Sequence, residues 1–276
     1  MLRTVTVDDA TMRALELHET RAHAIPHREV RDLGHAVVLY DPRDGEPFWN
    51  RMVSVRWPDD VAGFDRRLTE ALALFATLGR VPHVWPSPIG AQPADLTARL
   101  EAHGFRDIGG GHLMVLDDPT ASPPVHASEL RAGLTLHAIR TPDDAGPTDC
   151  DDLGLVLAES FGAPPGRAAQ LAGDLRAGLP DPRVHLVLAR IDGEPAAAAK
   201  ATTFDGFTYL SSIGTRDAFR GRGLAGLVTR HAMDVSGGRA RGRAYLGVFS
   251  GNAPAIRVYT KLGFATMGES PDMLLE

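Results

Sequence analysis

Spacing of apolar residues predicts a long helix over residues 60–78. The apolar positions lie three and four residues apart, which places them on one face of a helix. They are Val61, Phe64, Leu68, Leu72, Phe75 and Leu78. Comparable patterns predict further helices over residues 8–23, 93–103, 141–161, 224–235 and 253–262.

Short runs rich in strand-forming residues predict two groups of strands. The first group has an Asp44-Gly45 hairpin between the runs 35–40 and 47–57, a strand at 81–85 and a hairpin over 105–116. In the second group, Asp-Gly pairs separate three runs, and such pairs are a strong hairpin signal. These three runs, predicted as an antiparallel meander, are 184–191, 195–203 and 207–215, with further strands at 134–139, 244–249 and a final pair ending at Leu275.

The chain contains an internal repeat. The segment Leu100–Phe105, followed by Gly109, Met114 and Leu116, aligns with Tyr259–Phe264, followed by Gly268, Met273 and Leu275, at an offset of 263 − 104 = 159. An ungapped offset of this kind indicates two copies of one fold. Because proline and acidic residues become frequent from residue 117 to 124, we expect a domain at 1–116, a linker at 117–133 and a second domain at 134–276.

Composition indicates a soluble globular protein, with 43% hydrophobic residues, 23% charged residues and a net charge of −6. The negative charge argues against a nucleic-acid partner. There is no apolar run long enough for a membrane helix and no signal-peptide core at the start, so we expect no membrane partner and a cytoplasmic location. A single cysteine, Cys150, excludes a disulfide framework or a cysteine zinc site. We expect it to be exposed and inert, and we expect no metal.

Positive charge is concentrated between residues 216 and 243. Seven arginines stand there against Asp217 and Asp234, a local charge of +5, which leaves −6 − 5 = −11 for the rest of the chain. A basic cluster in an acidic protein suggests a small polyanion as ligand.

A glycine-rich segment lies inside this basic cluster, and Gly221, Gly223 and Gly226 fit the dinucleotide-binding pattern G-x-G-x-x-G. The context contradicts that assignment, because the segment follows a meander and the next strand, 244–249, has no acid for a ribose. Small residues between a strand and a helix instead favour a loop whose backbone N–H groups bind a pyrophosphate. A solvated loop without a ligand is the open alternative.

Together with the later pattern Asn252-x-x-Ala255-x-x-x-Tyr259-x-x-x-Gly263-Phe264, this loop resembles the GNAT superfamily of acyl-CoA-dependent N-acyltransferases. The resemblance covers roughly residues 134–276. It implies an α/β fold of two tandem GNAT-like domains, each with a mostly antiparallel mixed sheet, a splayed parallel strand pair and flanking helices. It also implies acetyl-CoA as acyl donor.

The resemblance assigns roles to individual residues. The coenzyme pyrophosphate is expected at the loop formed by Arg220, Gly221, Arg222, Gly223, Leu224 and Ala225. The strand end Ile213, Gly214 and Thr215 is expected to offer backbone groups to the pantetheine arm, with Asn252 and Ala255 completing the coenzyme site. Tyr259 would donate a proton to the departing thiolate. Without a ligand, Asn252 would simply be a helix N-cap and Tyr259 a core residue.

The first copy lacks this equipment. Leu100 stands at the position equivalent to Tyr259, and Asp59 and Asp60 stand where phosphate would bind. We therefore expect residues 1–116 to be a degenerate copy, retained as a scaffold, a pocket wall or a dimer surface, so that a homodimer is an option.

The expected function is acetyl transfer from acetyl-CoA to a primary amine of a small molecule or peptide, by direct attack. The strand 207–215 contains no acid, although many GNAT enzymes carry a glutamate there as base. Candidate bases are Asp205, Glu159, His185 and groups contributed by the first half of the chain. The missing acid leaves open a second hypothesis, a non-catalytic acyl-CoA sensor or partner-binding module.

Overall fold

The computed structural model describes residues 2–164, 166–240 and 242–276. The chain forms two compact units. Unit 1 comprises the chain up to Leu113 together with Val248–Ala253 and Thr266–Glu276, and unit 2 comprises Met114–Gly247 and Pro254–Ala265. The division into domains at 1–116 and 134–276 stays a prediction.

Helices and strands are interspersed along the described residues. In the first copy they are α1 (Asp9–Ala24), β1 (Glu29–Asp32), β2 (Val37–Tyr40), β3 (Arg51–Val53), α2 (Val61–Leu78), β4 (His83–Val84), α3 (Leu96–Ala102), β5 (Phe105–Asp107) and β6 (Gly111–Leu116). In the second copy they are β7 (Leu134–Ile139), α4 (Asp149–Ser160), α5 (Arg167–Gly178), β8 (Val184–Ile191), β9 (Glu194–Phe204), β10 (Phe207–Thr215), α6 (Leu224–Val235), β11 (Arg243–Phe249), α7 (Ala253–Lys261), β12 (Ala265–Ser270) and β13 (Met273–Leu275).

The strands form two mixed sheets. A six-stranded sheet has the order β1-β2-β3-β4-β13-β5, and a seven-stranded sheet has the order β12-β6-β11-β10-β9-β8-β7. Both sheets contain a parallel pair joined through a helix, β3 with β4 and β10 with β11. The predicted α/β class, with mixed sheets and a parallel pair in each, is confirmed.

Local patterns predicted most elements correctly. The turns of the meander have positive φ at Asp192, Gly193, Asp205 and Gly206, as two-residue hairpins of the type favoured by Asp-Gly require. The predicted helix over residues 60–78 is α2, which buries Phe64, Leu68 and Phe75 in the core of unit 1.

Both predicted terminal hairpins are wrong. β5 pairs with β13 and not with β6, while β6 and β12 are neighbours in the seven-stranded sheet. The last strand of each copy has therefore been exchanged for that of the other. The crossing needs Gly110, because a Cβ at this position would lie 1.9 Å from the carbonyl oxygen of Ser270.

Three smaller predictions also need correction. The connection between β2 and β3 is a loop from Asp41 to Asn50 and not a tight hairpin at Asp44-Gly45, since the Asn50 side chain donates to the carbonyl oxygens of Asp44 and Glu46. Cys150 is buried in α4, and burial raises the pKa of its thiol. Helix α5 was not predicted, because alanine and glycine dominate its inner face and leave a weak periodic signal. A membrane-spanning helix, which has to be both long and apolar, is not found in the described part of the chain.

Unit 1 buries a carboxyl group. Glu16 on α1 is 8% exposed and accepts a hydrogen bond from the Ser87 hydroxyl. Burial raises the pKa of Glu16 to about 7, against an ordinary value near 4.5. The raised pKa makes ionised Glu16 unfavourable in the folded state.

Stability is therefore expected to depend on pH through Glu16. A folded-state pKa above the unfolded value gives a contribution that is complete below pH 4.5 and is lost as the pH rises through about 7. The loss is about 3 kcal/mol at most. We expect Glu16→Gln to remove this part of the pH dependence and to be the more stable protein at pH 8, as measured by urea unfolding. Glu101→Gln, on an exposed side chain of α3, is the control, and a Glu16→Gln protein with the wild-type pH profile would contradict the assignment.

Candidate active site

The parallel strands β10 and β11 separate part-way along their length. They pair in register over Phe207–Tyr209 and Arg243–Tyr245, although β10 runs on to Thr215 and β11 to Phe249 and every residue of both is described. The rings of Tyr209 and Tyr245 lie 5.1 Å apart, centre to centre, at the fork. Beyond it, backbone groups of both strands face a gap. The splayed strand pair is thus present in the second copy.

A β-bulge interrupts β10 beside this gap. Ser211 pairs with Lys200 and Gly214 with Ala198, so that three steps on β10 oppose two on β9. Ser212 has φ of 51°, an uncommon conformation for a residue with a side chain. Bulges of this kind often adjoin active sites, where they redirect backbone groups. Ile213, Gly214 and Thr215 follow directly, at the position predicted for pantetheine contacts.

The glycine-rich loop ends at an uncapped helix. Gly221 and Gly223 have φ of 75° and 81°, and α6 begins at Leu224 without a side chain that caps its first turn. Within the described residues, the backbone N–H groups from 221 to 226 have no protein acceptor. Several free donors at the positive end of a helix dipole favour an anion. This arrangement suits the predicted phosphate, whose binding at the loop stays a prediction.

The equivalent helix start in the first copy is closed. Asp60 caps α2 by accepting a hydrogen bond from the N–H of Gly63 at 2.8 Å. The gap beyond β3 and β4 is also occupied by the chain itself. Gln92 forms a parallel β-bridge with Arg56, and the carbonyl oxygen of Gln92 accepts a hydrogen bond from the N–H of Trp57 at 3.0 Å. Unit 1 thus satisfies internally the groups that unit 2 leaves open.

Arginines of the basic cluster serve different partners. Arg220 and Arg222 lie at the loop, where Arg220 is paired with Asp217 at 2.8 Å and is 58% exposed. Three others hold the predicted linker segment: Arg230 binds Glu129, Arg239 donates to the carbonyl oxygen of Pro119, and Arg243 binds Asp117. These three arginines bind the protein's own chain, and a small polyanion as ligand of the cluster stays a prediction. Arg241 lies outside the described residues.

Tyr259 is buried in α7. It is 6% exposed, and burial raises the pKa of its phenol well above the ordinary value. Its hydroxyl has no hydrogen-bond partner among the residues that the structure describes. A Cβ at Gly226 would lie 3.6 Å from Val258, so α7 packs beside the first turn of α6. Tyr259 is therefore a buried, neutral phenol on the helix next to the loop.

The remaining predicted coenzyme residues lie at the start of α7. Asn252 is exposed, immediately precedes the helix and occupies its N-cap position. Ala255 lies in the first turn and is half-buried.

The candidate bases are spread widely. Asp205 lies in the turn before β10, at the opposite end of the strand from the loop, about 30 Å away. His185 lies on β8, in register with Ala201 of β9. Glu159 lies near the loop but is bound to Arg216 at 2.7 Å, and hydrogen bonds from Arg216 and the N–H of Asp217 lower the pKa of this carboxyl. A lowered pKa makes a carboxylate a poorer base.

Comparison with known proteins finds a likeness in the second half of the chain. Residues 156–264 match the Acetyltransferase (GNAT) family. The matched residues run from within α4 to just past the end of α7. Streptothricin acetyltransferase of Streptomyces lavendulae is 34% identical over 79 residues, which are 28% of this chain and 42% of that protein. The match thus spans about two fifths of the curated relative.

Solved structures extend the likeness beyond the matched residues. A GCN5-related N-acetyltransferase from Kribbella flavida has a TM-score of 0.71 at 21% identity and covers 98% of this chain and 96% of its own. A tandem GNAT protein from the clavulanic acid biosynthesis pathway has a TM-score of 0.62 at 17% identity, covering 99% and 97%. At these identities the similarity concerns the fold. It supports two GNAT-like copies in this chain.

Proposed function

We propose that this protein transfers an acetyl group from acetyl-CoA to a primary amine of a small molecule or peptide. The observation that carries the proposal is the path on unit 2 along the end of β10, which no longer pairs with β11 beyond Tyr209, to the uncapped start of α6. Such a path suits a ligand with a thin polar arm and a pyrophosphate. Coenzyme A has this composition.

In this proposal, residues of the strand end, the loop and the start of α7 bind the acyl donor. The backbone of Ile213, Gly214 and Thr215 would bond the pantetheine amides beside the bulge. The pyrophosphate would lie against the N–H groups of the loop, with Arg220 and Arg222 contributing charge. The coenzyme residues of this proposal are Ile213, Gly214, Thr215, Arg220, Gly221, Arg222, Gly223, Leu224, Ala225, Asn252 and Ala255.

The proposed reaction is a direct attack. The nitrogen lone pair of the neutral amine forms a C–N bond to the thioester carbonyl carbon, and the C–S bond breaks. Tyr259 donates its phenolic proton to the departing sulfur, which leaves as the free thiol. The nitrogen gives one proton to water as the amide forms, and the Tyr259 phenolate takes a proton back from water. An amine of pKa near 10 costs about 4 kcal/mol to deprotonate at pH 7. A less basic amine is the easier acceptor.

The name of the curated relative supports acetyl as the transferred group, since that protein is an acetyltransferase. A specific observation favours a second candidate function, an acyl-CoA sensor: β10 has no acidic residue, and the nearby Glu159 is held in an ion pair. Turnover separates the two candidates, because a sensor binds acetyl-CoA without releasing coenzyme A faster when amines are added.

Acetyl-CoA is expected to stabilise the protein. A ligand present at 100 times its dissociation constant adds about 2.7 kcal/mol to the free energy of unfolding, and thermal shift measures this directly. Titration calorimetry is expected to give one site per chain, because the equivalent cleft of unit 1 is closed by Gln92 and Asp60.

The control ligand for this measurement is acetate with free adenosine, which lacks the pyrophosphate and the arm. No stabilisation by saturating acetyl-CoA would contradict both candidate functions. A stoichiometry of two would leave the function standing and contradict the closure of unit 1.

A further inference from the structure

The C-terminal end of α4 is hydrogen-bonded to the segment that leads into the glycine-rich loop. The Glu159 carboxylate accepts a hydrogen bond from Nε of Arg216 at 2.7 Å and another from the backbone N–H of Asp217 at 2.9 Å. Both residues lie between Thr215, the last residue of β10, and Arg220. One side chain therefore holds two consecutive residues at the entrance of the loop.

Arg216 also forms hydrogen bonds with β9. Its Nη1 donates to the carbonyl oxygen of Pro195 at 2.9 Å, and its backbone N–H donates to the carbonyl oxygen of Ala196 at 3.0 Å. The side chains of Arg216 and Glu159 are 21% and 32% exposed. The pair is thus partly shielded and makes more hydrogen bonds than a surface ion pair of two solvated side chains.

A close contact accompanies this ion pair. Ser160, the residue after Glu159, lies so near β10 that a Cβ at Gly214 would stand 2.6 Å from its Oγ. The hydrogen bonds of Glu159 also lower the pKa of its carboxyl, which stays ionised at neutral pH. Helix α4 consequently contacts β10 at the bulge and holds the loop at its start.

We infer that Glu159 is a positioning residue for the phosphate loop: through Arg216 and the N–H of Asp217 it holds the backbone donors of residues 221–226 in the orientation that binds pyrophosphate. The inference rests on the proposed function. Glu159 acts here through the loop and not as a base.

The physical reason is preorganisation. A loop with two glycines of positive φ has many accessible conformations, and a ligand that must order it loses affinity. Fixing residues 216 and 217 removes part of this cost before the ligand arrives. Substitution of Glu159 should therefore lower the affinity for ligands that contact the loop and leave the affinity for other ligands unchanged.

Comparison of two donors tests the inference. We expect Glu159→Ala to raise the dissociation constant and the KM of acetyl-CoA about tenfold, because the variant loses a charge-assisted hydrogen bond. We expect S-acetyl-pantetheine, which has the arm and thioester but no pyrophosphate, to bind the variant and the wild type within about twofold. The kcat at saturating acetyl-CoA should stay near the wild-type value.

Matched variants separate this role from general stability. Asp151→Ala removes another ion pair of α4, made with Arg176 at 3.0 Å on an exposed surface. This variant should bind both ligands with the wild-type affinity. Arg216→Ala should reproduce the selective loss, and combining it with Glu159→Ala should add little. Glu159→Gln, which keeps an acceptor for the N–H of Asp217, should show a smaller loss and serves if the alanine variant does not fold.

Each outcome decides the matter. Equal weakening of both ligands, unchanged affinity for acetyl-CoA, or a loss of kcat alone would overturn the positioning role while leaving the proposed function intact. Failure of the wild-type protein to bind acetyl-CoA would instead overturn the proposed function.

Discussion

Deletion of residues 272–276 is expected to unfold unit 1. The deletion removes β13 from the middle of the six-stranded sheet, where Met273 pairs with Val84 on one side and Asp107 on the other. The Met273 side chain is fully buried in the core. Truncating one such side chain costs about 2–5 kcal/mol, and whole domains are stable by only about 5–15 kcal/mol. Loss of the side chain together with both strand pairings should exceed what unit 1 can tolerate.

Hydrogen exchange measures this effect locally. Protection of the amides of β2 and β3 should be lost in the truncated protein at 25 °C. Removal of Glu276 alone, which is exposed and follows the strand, is the control and should leave protection unchanged. Retained protection in the longer deletion would show that unit 1 does not depend on β13.

Tyr259→Phe is expected to lower kcat by about 100-fold. Loss of a general acid typically costs 10²–10⁴-fold, and we expect the lower end because water can still protonate a thiolate. The dissociation constant of acetyl-CoA should stay within about twofold, since the phenol acts on the departing sulfur and not on bound coenzyme. Burial raises the pKa of Tyr259, so ionisation of this phenol should not limit the rate near neutral pH.

Steady-state kinetics and a binding titration on the same preparations test this split. Tyr40→Phe, at a half-buried tyrosine of unit 1, is the matched control and should leave kcat unchanged. A Tyr259→Phe enzyme with the wild-type kcat would remove the acid role.

Local structure followed from the sequence because its causes are local. The helix α2 could be predicted from apolar spacing and the meander from its Asp-Gly turns, each within a span of a few residues. The exchange of β6 and β13 could not be predicted, because it depends on contacts between distant parts of the chain. His83 and its partner Asp272, for example, are 189 residues apart. One hint of the crossing was present, namely Gly110 within three consecutive glycines.

Candidate site residues divide in the same way. The loop and Tyr259 stand in a contiguous motif, and the structure places the loop at the start of α6 with α7 beside it. The partnership of Glu159 and Arg216 was not predicted, since neither residue belongs to a motif and 57 positions separate them. Glu159 was a candidate base from the sequence, whereas in the structure its carboxylate accepts hydrogen bonds from Arg216 and the N–H of Asp217. The distribution of the basic cluster likewise depended on the fold, because three of its arginines bind the segment 117–129.

Release of coenzyme A from acetyl-CoA, followed by a thiol reagent over a panel of primary amines, tests the proposed function most directly. The panel should include amines with pKa values near 8 and near 10, at saturating acetyl-CoA. We predict that at least one amine accelerates release at least tenfold over the rate without amine, with the matching N-acetyl product seen by mass spectrometry and the acceleration lost in Tyr259→Phe. Binding of acetyl-CoA without acceleration by any amine would contradict the account and identify a sensor.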